Sequence, residues 1–212
     1  MSHPIIRRIC MRATSHQRKY QRRTLAISHF YFRRNTGLTA HHTYINLLRD
    51  PVERLVSHYY YTRSLKRLPK RIRRLKSLGH WNVSLEECLS NQYEGCKWNL
   101  MTRFFCGPDA ICKTGGRKAL LQAKHNLLNY YASVGVVEHL SEFVSVLQKR
   151  LPEFVAKIKE LSKQVLNRGV KKNVQRDVIF LISKLNKADI KLYNFAKELF
   201  IKQARSCGVK II

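Results

Sequence analysis

The run YINLLRDPVERLVS, from Tyr44 to Ser57, constrains this chain more than any other stretch, because it reads as a buried strand turning straight into a capped helix. Tyr44 to Leu48 is apolar and β-branched, in the manner of a strand buried on both faces of a parallel sheet, and Arg49 stands at its carboxyl end. Asp50 as N-cap, Pro51 as N1 and Glu53 as N3 make a capping box with a helix-starting proline. Val52, Leu55, Val56, Tyr59 and Tyr60 recur at helical spacing as a core-facing stripe. Ligands of open α/β sheets bind beyond the carboxyl ends of strands, and helix N-termini offer N–H groups to anions. The layout predicts an anion site on which Arg49 and the Ser57 hydroxyl converge. The plainer alternative is an arginine paired with its neighbouring Asp50 in an ordinary strand-to-helix turn.

Charge narrows the kind of partner. Forty-one Lys and Arg against thirteen Asp and Glu leave +28 on 212 residues, far more than solubility needs, so a polyanion is expected: nucleic acid, an anionic membrane surface or an acidic polysaccharide. Neither zinc-finger spacing nor an RNA-binding aromatic signature is present, which weakens the nucleic-acid reading. The segment from Leu65 to Lys76 is densely basic and reads either as a solvated or loop segment or as a polyanion-binding strip. No apolar run approaches the roughly 20 residues of a membrane span, and the start of the chain is too basic and broken for a signal peptide.

The cysteines argue for an oxidising compartment. Cys88 and Cys96 stand eight apart and Cys106 and Cys112 six apart, in one loop-rich segment, with Cys10 and Cys207 left over near the ends. Zinc is the alternative for four clustered cysteines, but the two-residue knuckle that zinc sites favour is missing, so disulfides are preferred and no metal is expected. Asn82-Val83-Ser84 is a glycosylation sequon that fits a secretory setting.

Along the rest of the chain, Ser84 with Glu87 caps a short helix through Leu89, and Trp98 to Phe105 reads as another. Lys118 to Tyr131 is a helix with its apolar face on Leu120, Leu121, Ala123, Leu127, Leu128 and Tyr131. Ser133 to Val137 is a short buried strand, and Glu138 to Arg150 a helix on Leu140, Phe143, Val144 and Leu147. Pro152 opens a further helix, Asn167 to Asn173 is a basic loop, and Asp189 to Ala204 is a terminal helix on Ile190, Tyr193, Phe195, Ala196, Leu199 and Phe200. Strand alternating with helix points to the α/β class.

In that order the blocks YINLLRDPVERLVSHYYYTR, the Cys88 to Cys96 spacing, FFCGPDAIC from Phe104, QAKHNLLNYYASVGVVEHLSEFVSVL from Gln122 and the aromatic-rich terminal helix resemble the glycosaminoglycan uronyl 2-O-sulfotransferases, over about Thr24 to Ala204. The resemblance implies a P-loop-type sulfotransferase fold, a parallel sheet with flanking helices, and sulfuryl transfer from 3′-phosphoadenosine-5′-phosphosulfate to the 2-hydroxyl of a uronic acid. It covers heparan sulfate and dermatan/chondroitin acceptors alike. It also implies a Golgi-lumenal, type II membrane protein and a homotrimer. By motif, Arg49 and Ser57 fall on the family's 3′-phosphate site, with Lys172 also on the donor, and His29 in SHFYF falls on the catalytic base, a role that the near-neutral pKa of His suits. His41 and His42 are read as loop residues. Arg73 and Arg74 align with acceptor-binding arginines, and Lys171 stands where the closing loop usually has Arg, keeping the charge without the bidentate fork.

Residues 1–23 read as a basic, disordered N-terminal segment and 24–212 as a partial sulfotransferase domain. No strand, Lys-Thr phosphate turn and helix precede His29, so the 5′-phosphosulfate unit and the membrane anchor are expected to be missing from the chain. The opposed expectation is a catalytically incompetent module that holds anionic polysaccharide through Arg71, Arg73, Arg74, Lys171 and Lys172. A nucleic-acid-binding protein is favoured by charge alone.

Overall fold

The computed structural model describes residues 31–34, 44–64, 69–152 and 174–211. Strand β1 (Tyr44–Leu48) leads into α1 (Pro51–Thr62), followed by α2 (Pro69–Ser77), α3 (Leu85–Ser90) and α4 (Leu100–Cys106). Helix α5 (Arg117–Tyr130) then runs without a loop into β2 (Tyr131–Val136), and α6 (Leu140–Arg150), α7 (Arg176–Leu185) and α8 (Lys187–Ser206) complete the described chain. β1 and β2 pair in parallel, with Ile45 opposite Ser133 and Leu48 opposite Val136, so both strands end at one edge. This is the mixed α/β class that the alternation of strand and helix predicts.

β1 departs from a strand covered on both faces: Tyr44 and Leu48 are buried, but Asn46 is exposed. Its side chain bonds the neighbouring Leu47 N–H at 2.8 Å instead of facing a core. β2 is buried from Ser133 to Val136. Gly135 has no substitute there, since a Cβ would stand 2.3 Å from Phe143 Cγ on α6.

Two cores form. The larger one gathers Leu48, Val134 and Val136 of the sheet with Phe105 of α4, Ala123 and Leu127 of α5, Val146 of α6 and Leu192, Ala196 and Phe200 of α8. The smaller joins Leu55 and Tyr59 of α1 to Cys88 and Leu89 of α3 and to Val178 and Ile182 of α7. Cys88–Cys96 lies in the smaller core and Cys106–Cys112 in the larger. Both expected pairs are formed, and Cys207 is disulfide-bonded rather than left over.

Several predicted faces are rotated. On α1 the buried residues are Pro51, Leu55, Tyr59 and Thr62, while Tyr60 is 39% exposed. On α5 Leu121 is 60% exposed and the inward positions are Ala119, Ala123, Asn126 and Leu127, because Asn126 turns into the core to donate to the carbonyls of Phe105 and Cys106. Leu128 is exposed too, and Tyr131 belongs to β2, which starts earlier than expected. On α8 the face centres on Leu192, Tyr193, Ala196 and Phe200, with Ile190, Phe195 and Leu199 only half-buried. α7 is an element that sequence periodicity did not assign. The predicted helix from Pro152 and the loop from Asn167 to Asn173 lie almost entirely outside the described residues.

Segment 69–77 is helical rather than a loop. Ile72 and Leu75, three residues apart, anchor it with 3% and 0% exposure, and the basic residues occupy the outer face.

Candidate functional site

The carboxyl edge of the sheet is where the sequence places an anion site, and it is assembled as follows. Asp50 caps α1, its Oδ1 accepting from the N–H groups of Val52 at 2.9 Å and Glu53 at 3.0 Å. Pro51 has no N–H, and the N–H of Arg54 is spent on the Asp50 carbonyl at 2.8 Å. The first turn of α1 therefore has no N–H left for an anion, which corrects the expectation that the helix terminus itself would cradle one. Recognition at this corner falls to side chains.

Glu53 does not complete the capping box. It reaches back to Arg49 at 3.2 Å, and the Asp50 N–H is taken instead by Glu138 Oε1 at 3.3 Å, from just beyond β2. Arg49 is thus paired with Glu53, not with Asp50 as the plainer alternative had it. Both members are well exposed, at 36% and 52%, and an exposed pair of this kind contributes about 0.2–1 kcal/mol. A phosphate dianion with better geometry can displace it. Ser57 lies four residues beyond Glu53, so Arg49, Glu53 and Ser57 step along one stripe. Among the described residues the Ser57 hydroxyl, half-buried, has no hydrogen-bond partner.

Glu138 and Tyr193 are site neighbours that sequence reasoning missed. Burial first, then the Glu138 carboxylate beside it and the charges of Asp50 and Glu53, push the phenol of Tyr193 on α8 well above the ordinary tyrosine value. The signal was available in principle. Parallel strands end together, so the polar residue after β2 had to meet those after β1.

Beneath this corner Arg54 and Asp189 form a buried pair at 3.8 Å. The Asp189 carboxylate also accepts from the N–H groups of Met101 at 3.1 Å and Thr102 at 2.7 Å, which caps α4 from 88 residues away. Burial pushes the Asp189 carboxyl up, opposed by Arg54 and those N–H groups, and presses the Arg54 guanidinium down, opposed by Asp189.

The other predicted residues divide. Arg73 and Arg74 stand exposed on α2 beside Lys70. Arg71 is paired with Glu94 at 2.8 Å. Asn82 is exposed in the loop before α3, and Ser84 of its sequon caps that helix by accepting the Glu87 N–H at 3.1 Å. His29, His41, His42, Lys171 and Lys172 lie outside the described residues. No group of His, Cys, Asp or Glu suited to a metal ion occurs among the described residues, and no described helix is long and apolar enough to cross a membrane.

Comparison with known proteins agrees with the motifs. Heparan sulfate 2-O-sulfotransferase 1 of Homo sapiens is 36% identical over 168 residues, covering 74% of this chain and 47% of the relative. The Gallus gallus enzyme of that name is equally similar, and the Drosophila melanogaster heparin sulfate O-sulfotransferase is 41% identical over 114 residues, 51% of this chain and 32% of the relative. The chain thus spans about half the length of the vertebrate relatives it matches. The model of the sulfotransferase family matches residues 3–196. With a parallel strand pair, a strand-Arg-Asp-Pro-helix unit and two disulfides in place, this chain belongs to the sulfotransferase family.

Proposed function

We propose that this chain carries the 3′-phosphate side of a sulfotransferase donor site and acts on an acidic polysaccharide of the heparan sulfate type. The observation that carries this reading is the carboxyl-edge corner, where Arg49 follows the end of a parallel strand just ahead of α1 and the unpartnered Ser57 hydroxyl stands on that helix. The donor is 3′-phosphoadenosine-5′-phosphosulfate, whose 3′-phosphate takes Arg49 from Glu53 and bonds Ser57. In the reaction the sulfuryl group passes from the donor's 5′-phosphate to the 2-hydroxyl of a uronic acid, that hydroxyl gives up its proton, and 3′,5′-bisphosphoadenosine leaves. His29 is the proposed proton acceptor, Lys172 a further donor contact and Lys171 an acceptor contact.

The acceptor is placed against α2. Its outer face presents Lys70, Arg73 and Arg74 at helical spacing, held by the buried Ile72 and Leu75. A rigid basic stripe costs a polyanion less ordering entropy than a loop of the same composition would. The two disulfides support an oxidising compartment, for which the Golgi lumen is proposed, and Asn82 is exposed for glycosylation there.

Incubation of the chain with labelled donor and desulfated heparin tests the reading. Sulfate incorporation that disappears in Arg49→Ala supports it. A folded chain that neither transfers sulfate nor is retained on immobilised 3′,5′-bisphosphoadenosine refutes it, while retention without transfer leaves a binding module.

A further inference from the structure

A second cationic concavity lies away from Arg49 and α2. The starts of α5 and α8 meet at a cleft lined by Leu120, Ala188, Gly115 and Gly116, by Asn99, and by the cations Arg117, Lys187 and Lys191. All three cations are exposed, and among the described residues none has a carboxylate within ion-pair distance. The carboxylate nearest in sequence on α8 is Asp189, and it is fully buried and turned to Arg54 and the α4 N–H groups. Three like charges around one hollow repel each other, and no carboxylate among the described residues offsets them.

The chemistry of the lining is divided in a way that fits a sugar. The small and aliphatic residues of the lining suit the carbon face of a pyranose ring, and its cations suit a sulfate or carboxylate projecting from it. Gly116 caps α5 without any side chain, so the helix start adds no acidic group to the hollow. The cleft sits at the Asp189 end of α8, and Asp189 reaches Arg54 of α1.

From these observations we propose that the Arg117–Lys187–Lys191 cleft is an accessory subsite for an anionic sugar unit of an acidic polysaccharide, distinct from the unit at Arg73 and Arg74. The inference rests on the polysaccharide reading above. It predicts that a long chain fills both sites and a short one fills only one, which adds affinity without a new contact at the first site.

The test compares heparin-derived tetrasaccharide and dodecasaccharide binding, by calorimetry, to three forms of the full chain. Arg117→Ala/Lys187→Ala/Lys191→Ala should bind the dodecasaccharide roughly tenfold more weakly and the tetrasaccharide nearly as well as the parent. Lys202→Ala/Arg205→Ala/Lys210→Ala removes the same charge from the far end of α8 and the residues just beyond it, and should keep parental binding of both. Circular dichroism and the thermal midpoint establish that each variant is folded, which exposed positions permit. Equal loss in the two triple variants would show that net charge alone acts, and unchanged dodecasaccharide binding by the cleft variant would overturn the subsite. Failure of the parent to bind either oligosaccharide would overturn the polysaccharide reading and the subsite with it.

Discussion

Asn99 and Asp189 cap each other's helices. The Asn99 Oδ1 accepts from the N–H groups of Ala188 at 3.0 Å and Asp189 at 3.2 Å at the start of α8, while the Asp189 carboxylate accepts from Met101 and Thr102 at the start of α4. Asn186 closes the arrangement by accepting the Asn99 N–H at 3.0 Å. Two helix starts, almost 90 residues apart in sequence, are thereby locked as one unit beneath the carboxyl edge.

Asp189→Ala should therefore be costly in a way that a single surface cap is not. It strips two N–H groups and leaves the Arg54 guanidinium buried without a counter-charge, a loss of about 3–5 kcal/mol. Urea denaturation measures it, and Arg54→Met in the same background should recover part of the loss. No recovery would mean that the pair is not coupled.

Gly135→Ala places a methyl carbon against the Phe143 ring, with backbone of a buried strand on one side and α6 on the other. A destabilisation of about 1–3 kcal/mol is expected, and Phe143→Leu should relieve it by freeing the space. Thermal unfolding of the single and double variants distinguishes a steric cause from a lost strand preference, because the latter is not rescued.

Glu53→Gln removes the carboxylate that holds Arg49 and would face a bound phosphate. Retention on immobilised 3′,5′-bisphosphoadenosine should strengthen severalfold, since an exposed ion pair of up to about 1 kcal/mol no longer competes. Weaker retention would show that Glu53 positions Arg49 for the ligand instead of competing for it.

Replacing Cys88 and Cys96 together by serine opens an eight-residue separation and should cost about 2–3 kcal/mol through the unfolded chain's entropy. The change belongs to the smaller core, so hydrogen exchange should rise in α1, α3 and α7 more than in β2 and α8. Uniform exchange throughout would mean that the two cores unfold together.

Much of this architecture was legible from local pattern. Asp50-Pro51 marks the start of α1, the apolar runs mark β1 and β2, and the spacing of Cys88, Cys96, Cys106 and Cys112 gives the pairs that form. What escaped was decided by partners distant in sequence. Glu53 looks like the second half of a capping box until Glu138 arrives at the Asp50 N–H and releases it to Arg49. Leu121 looks like core until Asn126 claims the inward direction, because a hydrophobicity pattern takes no account of a polar side chain that satisfies two buried carbonyls. The basic segment at α2 hid its helix because two apolar residues, Ile72 and Leu75, were enough to anchor it.

The capping of α1 by Asp50 has a consequence for kinetics. With the helix N–H groups held by Asp50 and Arg49 held by Glu53, an anion arriving at this corner finds the Ser57 hydroxyl open but must replace Glu53 to reach Arg49. Association there is an exchange. Added salt loosens the departing pair as well as the arriving one, so affinity at this corner should fall with ionic strength less steeply than a count of contacts implies.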